Sequence, residues 1–211
     1  MDGIRHKIGP IRVFAVLSAL CAAFAAITAL PWHPLAQGQR TSGTSHSRRM
    51  ADGKRWTTQN LNVKADPSYC YNDAEVNCRR YGRLYTWESA RQACETLGSG
   101  WRLPTNDEWR QLAEHYGGLL EESNERGKSA FQELIVGGSS GFDAVLGGGR
   151  DLEGQYARLD AHGLYWTASE SSATTAWLYN FGKGMRALNR HSGGEKQRAF
   201  SVRCVREQDQ G

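Results

Sequence analysis

Ser99-Gly100-Trp101-Arg102-Leu103-Pro104-Thr105-Asn106-Asp107-Glu108-Trp109 is the stretch from which the rest of the chain is read. Pro104 breaks the incoming element, and Thr105-x-x-Glu108 has the spacing of a capping box. In such a box the Thr hydroxyl and the Glu carboxylate satisfy N–H groups that the first helical turn leaves without partners. The spacing therefore predicts a helix opening at Thr105. Its inward face is Trp109, Leu112, Ala113 and Tyr116, and Gly117 stops it. Ser99-Gly100 places a turn before it.

Upstream, Gly82-Arg83-Leu84-Tyr85 leads into an earlier helix. Thr86 is its expected cap and Glu88 sits in its positively polarised first turn. Trp87, Ala90, Cys94 and Leu97 share one face, and Gly98 ends it. Lys54–Val63 is strand-like, anchored by Trp56. Downstream, residues 119–130 are polar and read as irregular. Phe131, Leu134 and Ile135 form a small apolar cluster, one helical turn at most. From Gly141 onward the pattern is short strands split by glycine: FDAVL, QYARL, GLYWTAS, AWLYNFG, MRALNRH and AFSVRCVR. Helices early and antiparallel strands late make an α+β arrangement. The chain shows no internal repeats.

The 211 residues suit one ordinary domain with a short appendage. A hydrophobic fraction of 39% with 23% charged excludes wholesale disorder. Twenty-four glycines with 7 Trp, 8 Tyr and 6 Phe point to a core of large side chains on short elements. The formal charge of +4 is unevenly placed. Residues 1–36 carry +2 and residues 37–50 carry +3, which leaves residues 51–211 at −1, with 20 basic and 21 acidic side chains. A nucleic-acid binder concentrates its excess positive charge on the folded domain, so none is expected as a partner.

Arg5, Lys7 and Arg12 precede an uncharged run from Val13 to Leu30. Residues 1–30 therefore read either as a cleaved signal peptide or as a retained membrane anchor. The positive flank stays inside and the remainder is exported to the periplasm, the outer face of a bacterial membrane or the medium. Ala23-Phe24-Ala25 offers a cleavage site. Cys21 is a lipoprotein candidate but lacks a small residue before it. Residues 31–50, rich in Ser, Thr, Gly and Gln, read as a flexible linker, and residues 51–207 as the folded domain.

Behind an export segment the remaining Cys70, Cys78, Cys94 and Cys204 read as two disulfides. Three pairings are open to four cysteines. Cys70 and Cys78 enclose a short polar loop and meet easily, which leaves Cys94 with Cys204. A zinc site is excluded by spacing, since there is no CxxC and no His near a Cys.

Five segments, in order, resemble the Fibrobacter succinogenes major paralogous domain family. They are Asp52-Gly53-x-x-Trp56 to Asn60-Leu61, Tyr81-Gly82-x-Leu84-Tyr85-Thr86-Trp87 to Ala90, the quoted Gly100–Trp109, Gly141-Phe142-x-Ala144 to Arg150, and Phe200–Val205. The resemblance covers about residues 51–207. It implies a C-type-lectin-like fold of the branch shared with formylglycine-generating enzymes. That fold ties its first helix to its last strand by a disulfide, which agrees with pairing Cys94 and Cys204. The chain departs from the family around residues 119–140, where a lysine-rich stretch and a Trp are usual.

Chemistry is sparse. The formylglycine-generating branch needs a second cysteine near Cys204, and the chain has none. The calcium-binding loops of lectins do not occur, and Asp143, Asp151, Glu153 and Asp160 are scattered, so no metal is expected. His115, His162 and His191 lack helical or cysteine partners and read as surface or capping residues. Gly147-Gly148-Gly149-Arg150 lacks the Lys-Ser/Thr ending of a phosphate loop and reads as a tight turn. Ser139-Ser140-Gly141 is not a nucleophile elbow. No cofactor is expected.

A basic and aromatic surface remains on the late hairpins. Trp177, Tyr179, Arg186, Asn189, Arg190 and His191 are the candidate ligand residues. The expectation is a non-catalytic, exported binding or adhesion module of the cell envelope. Its partner would be an extracellular glycan or protein surface. The alternatives are an enzyme of the formylglycine-generating or sulfoxide-synthase type, and a purely structural envelope protein.

Overall fold

Thr105 caps its helix as the spacing predicts. In the computed structural model, which describes residues 46–207, the Thr105 hydroxyl accepts the Glu108 backbone N–H at 3.2 Å, and the Glu108 carboxylate accepts the Thr105 N–H at 2.8 Å. The signal or anchor segment, Cys21 and most of the linker lie outside the described residues. No helix among the described residues is long and apolar enough to cross a membrane.

The elements run β1 (Ser47–Arg49), β2 (Arg55–Thr57), β3 (Ser68–Tyr69), α1 (Glu75–Tyr81), β4 (Leu84–Tyr85), α2 (Trp87–Glu95), α3 (Asn106–His115) and α4 (Asn124–Leu134). Six strands follow: β5 (Gly147–Arg150), β6 (Tyr156–Leu159), β7 (His162–Glu170), β8 (Thr175–Gly182), β9 (Ala187–Glu195) and β10 (Val205–Arg206). They form a three-stranded sheet β1-β2-β10, a two-stranded sheet β3-β4 and a five-stranded sheet β6-β5-β7-β8-β9. Every pairing is antiparallel except β5 with β7. The α+β arrangement holds, with helices early and the large sheet late.

The five-stranded sheet sits between two apolar clusters, because alternate residues of β7 and β8 point to opposite sides. Tyr165, Tyr179 and Phe181 face α3, where Trp109 stacks on Tyr179 with ring centroids 5.1 Å apart. Trp166, Ala176 and Leu178 face the other way and pack with Trp87, Ala90 and Cys94 of α2 and with Phe200. Both expected disulfides are formed. Cys94–Cys204 fastens α2 to the segment entering β10, and Cys70–Cys78 fastens the middle of α1 to the turn before it.

Several local expectations are corrected. The linker ends sooner than residue 50, because Ser47–Arg49 pair with β2 as an edge strand and Met50 is buried. The strand expected over 54–63 is only Arg55–Thr57; beyond it the chain turns away to pair Leu61 N with Val202 O. Thr86 makes no side-chain cap, and its hydroxyl lies 3.0 Å from that of Ser89 instead. Helix α2 ends at Glu95, before Gly98. The polar stretch between Cys70 and Cys78 contains a single 3₁₀ turn and the first residues of α1.

The largest departure is α4, where an irregular segment was expected. Ser123 caps it by accepting the Arg126 N–H at 3.1 Å. Its apolar face is only Ala130, Phe131 and Leu134. One turn earlier, where an apolar anchor is usual, stands Gly127, whose added Cβ would lie 2.5 Å from the Leu120 backbone. A helix docked through a glycine shows no stripe in its sequence.

The glycine run 147–150, expected as a tight turn, is instead β5, in the interior of the large sheet. Gly148 has φ +66°, and an added Cβ would meet Ala157 O at 2.5 Å. A Cβ on Gly149 would meet the Phe200 ring at 2.8 Å. Glycine is required there because neighbouring backbone and ring approach too closely for any side chain. FDAVL makes no strand. Asp143 takes a positive φ, and only Ala144 bridges, to Ile135.

Candidate functional site

Several of the residues that carry the sequence resemblance hold the frame, whereas Gly149, Arg150 and Phe200 line a groove. Arg203 is fully buried. Its guanidinium donates to Asn60 Oδ1 at 2.8 Å, Thr57 O at 2.9 Å, Phe142 O at 2.6 Å and Asp143 O at 2.6 Å. One side chain thus joins the opening segment, the Gly141–Ala144 segment and the closing one. Arg102 clamps Glu108 bidentately, both contacts at 2.7 Å, and Lys54 lies 3.4 Å from the same carboxylate. Burial alone would raise the Glu108 carboxyl. The Arg102 guanidinium, the Thr105 N–H and the Lys54 ammonium outweigh it and bring the pKa down to about 2. Asp52 accepts the Trp56 indole N–H at 2.8 Å.

The open part of the large sheet is different. Helix α2 covers only one end of the face that carries Trp166 and Leu178. At the other end a groove of about 530 Å³ crosses all five strands. Its floor is Leu164, Leu178 and Phe200. Arg150 and Arg158 come from β5 and β6, Asn180 from β8, and His191 to Gly194 from β9, while Arg198 closes one side. A smaller hollow of about 320 Å³ continues from it through Arg158, Asn180 and His191 to Asn189.

The charges here are only partly spent internally, and the Arg150 guanidinium also hydrogen-bonds the Tyr156 side chain. Among the described residues neither Arg150 nor Arg158 has a carboxylate partner within 4.0 Å, whereas Arg198 pairs with Glu195 at 2.6 Å. The Arg150 guanidinium lies 4.1 Å above the Tyr69 ring, and its Nε is buried without a hydrogen bond. Stacking fixes the plane of the guanidinium while leaving its edge for a ligand. Asp151 is the acid of the lining, and its carboxylate accepts the Gln155 N–H at 2.6 Å. Burial lowers the pKa of His191 and the nearby Arg158 and His162 add to this, against Glu121, which raises it.

The six residues expected on the late hairpins are divided by strand alternation. Asn189 and His191 stand on the groove side, their side-chain nitrogens 3.2 Å apart. Tyr179 and Trp177 point to the helical side. Tyr179 is fully buried, donating to Asn106 O at 3.0 Å, so it is a core residue and not a ligand contact. Trp177 lies under Arg190, with 4.6 Å from guanidinium to ring centroid. Arg190 pairs with Glu121 at 2.7 Å and is thereby spent on the 119–123 segment. Arg186 is exposed at the tip of the β8–β9 hairpin with φ +50°, away from the groove. His162 bonds Asn180 at 3.0 Å. Sequence reading did not single out Arg150 and Arg158, which line the groove. The signal was present in the basic residues that follow the glycine strand, but it rested on recognising that strand.

The described residues hold one cluster of metal-ligating atoms, Cys70, Glu75 and Cys78. The two sulfurs are bonded to each other and offer no thiolate to a metal.

No curated protein and no solved structure matches the chain. Residues 44–206 match the Fibrobacter succinogenes major domain. This span takes in the edge strand β1, the Arg203 hub, the Glu108 clamp and the whole of the grooved sheet, and by it the chain belongs to the Fibrobacter succinogenes major domain family.

Proposed function

We propose that this protein is a non-catalytic binding module of C-type-lectin-like fold, exported through its N-terminal segment, with its ligand site in the groove across the five-stranded sheet. The observation that carries this reading is the pair Arg150 and Arg158, two guanidinium groups at an apolar-floored groove with no carboxylate partner among the described residues. Concave, mostly apolar sites with a few convergent polar groups are the usual form of small-ligand sites. Two disulfides suit an oxidising, exported setting. The Cys94–Cys204 link from first long helix to closing segment supports the lectin-like arrangement. The non-catalytic reading is supported by the use of the Arg102–Trp109 residues as clamp, cap and core.

Gly193 gives a clean test. It lines the groove, and nothing lies within 4 Å of a Cβ added there. Gly193→Trp therefore adds a bulky ring at a position lining the groove, with no frame atom close to its Cβ. The full chain is run in native gels containing polygalacturonate, dextran or poly-glutamate. Retardation by one of these polymers, lost in Gly193→Trp at unchanged melting temperature, is the expected result. Retardation that survives the substitution, or none with any polymer, contradicts the proposal.

A further inference from the structure

We infer that the groove recognises an acidic saccharide, through Arg150 and Arg158 as paired carboxylate receptors. This rests on the proposed groove site and names its ligand class. Three observations carry it together.

The first is charge. The lining holds Arg150, Arg158 and Arg198 against Asp151, and the first two have no carboxylate partner among the described residues. A guanidinium presents a planar fork that matches a carboxylate bidentately. Arg150 is held over the Tyr69 ring, 4.1 Å from its centroid, and that contact restrains its fork. Its buried Nε lacks a hydrogen-bond partner.

The second is the floor. Leu164, Leu178 and Phe200 form a small apolar base, with Asn180 and Ser192 beside it. A pyranose has one face of C–H groups and a rim of hydroxyls. The floor suits the first, and the amide and hydroxyl suit the second.

The third is direction, which separates a saccharide from an acidic peptide. An extended peptide gains affinity by pairing along a sheet edge. This groove lies across the faces of five strands and offers no row of free backbone groups along its length. Gly193 lines it with nothing within 4 Å of an added Cβ, which leaves room for a ring at that point.

The test is calorimetric titration of the full, disulfide-intact chain with trigalacturonate, maltotriose and tri-glutamate. Trigalacturonate is expected to bind at least about tenfold more tightly than either of the others, and to weaken as salt rises. Arg158→Asn is the principal variant, because Arg158 is exposed at φ +68° and Asn tolerates that backbone. Arg150→Gln is the second. Each should weaken trigalacturonate about tenfold with an unchanged melting temperature. Equal binding of maltotriose, or binding untouched by Arg158→Asn, overturns the acidic-saccharide inference. Tighter binding of tri-glutamate replaces it with an acidic peptide. Trigalacturonate binding that persists in Gly193→Trp instead overturns the groove site itself.

Discussion

Arg203 and Arg158 are the same residue type put to opposite uses. Arg203 is sealed in the frame, and four oxygens from two other chain segments take up its donors. Arg158 stands on a strand at the groove, without a carboxylate partner among the described residues. Arg102 resembles the first, locked to Glu108, and Arg150 the second, stacked on a ring with its Nε unbonded. A charge whose hydrogen bonds are all internal serves stability, and one held ready but unpaired is available to a ligand. The frame of this fold is thus built from residues that look chemically active in the sequence, while the candidate site comes from residues outside the Arg102–Trp109 stretch.

The comparison is sharpest at Arg203. Arg203→Met leaves Thr57 O, Phe142 O, Asp143 O and Asn60 Oδ1 without their donor in the interior. Each orphaned group costs about 1–3 kcal/mol, so the loss should be roughly 5 kcal/mol. That approaches the whole stability of an ordinary domain. Arg203→Lys should rescue little, because an ammonium cannot span acceptors placed for a planar fork. Urea unfolding of both variants checks this; a midpoint near wild type would show that the hub is dispensable.

Glu108→Gln should cost about 2 kcal/mol by breaking the clamp to Arg102. It should also change the acid response. The folded carboxyl titrates near 2, below its ordinary 4.5. Its contribution is therefore fully present above about pH 4.5 and is lost as the pH falls toward 2. The wild type should lose stability across that interval more steeply than Glu108→Gln. Parallel curves would show that Glu108 is not the carboxylate responsible.

Arg158→Asn, at the other extreme, should shift stability by less than about 0.5 kcal/mol, as expected of an exposed side chain that holds nothing. A large loss in thermal melts would move Arg158 into the frame and erase the contrast.

How far the sequence revealed this division follows from the kind of signal each part leaves. The capping box, the faces of α2 and α3 and the Cys70–Cys78 disulfide rest on local spacing, Cys94–Cys204 follows as the remaining pair, and all were legible. Helix α4 was not, because Gly127 replaces the apolar anchor that would have marked it. Strand β5 was not, because three glycines carry no alternation, and what requires them, the approach of Ala157 and Phe200, comes from distant residues. The candidate site inherited that error. With β5 unseen, Arg150 had no sheet to stand on, and attention went to the aromatic residues of β8, of which Tyr179 belongs to the core. Asn189 and His191 lie on the groove face because the alternation of β9 sets them on the side away from Arg190.

The central claim is that the groove arginines, and not those of the frame, meet the ligand. A nitrogen-15 NMR titration of the full chain with trigalacturonate tests it in one experiment. The account predicts progressive shifts of the backbone amides of Arg150, Arg158, Gly193 and Gly194, with those of Arg102 and Arg203 unmoved. Shifts centred on Arg102 and Arg203, or on the Arg186 hairpin tip, with the groove amides silent, would contradict it.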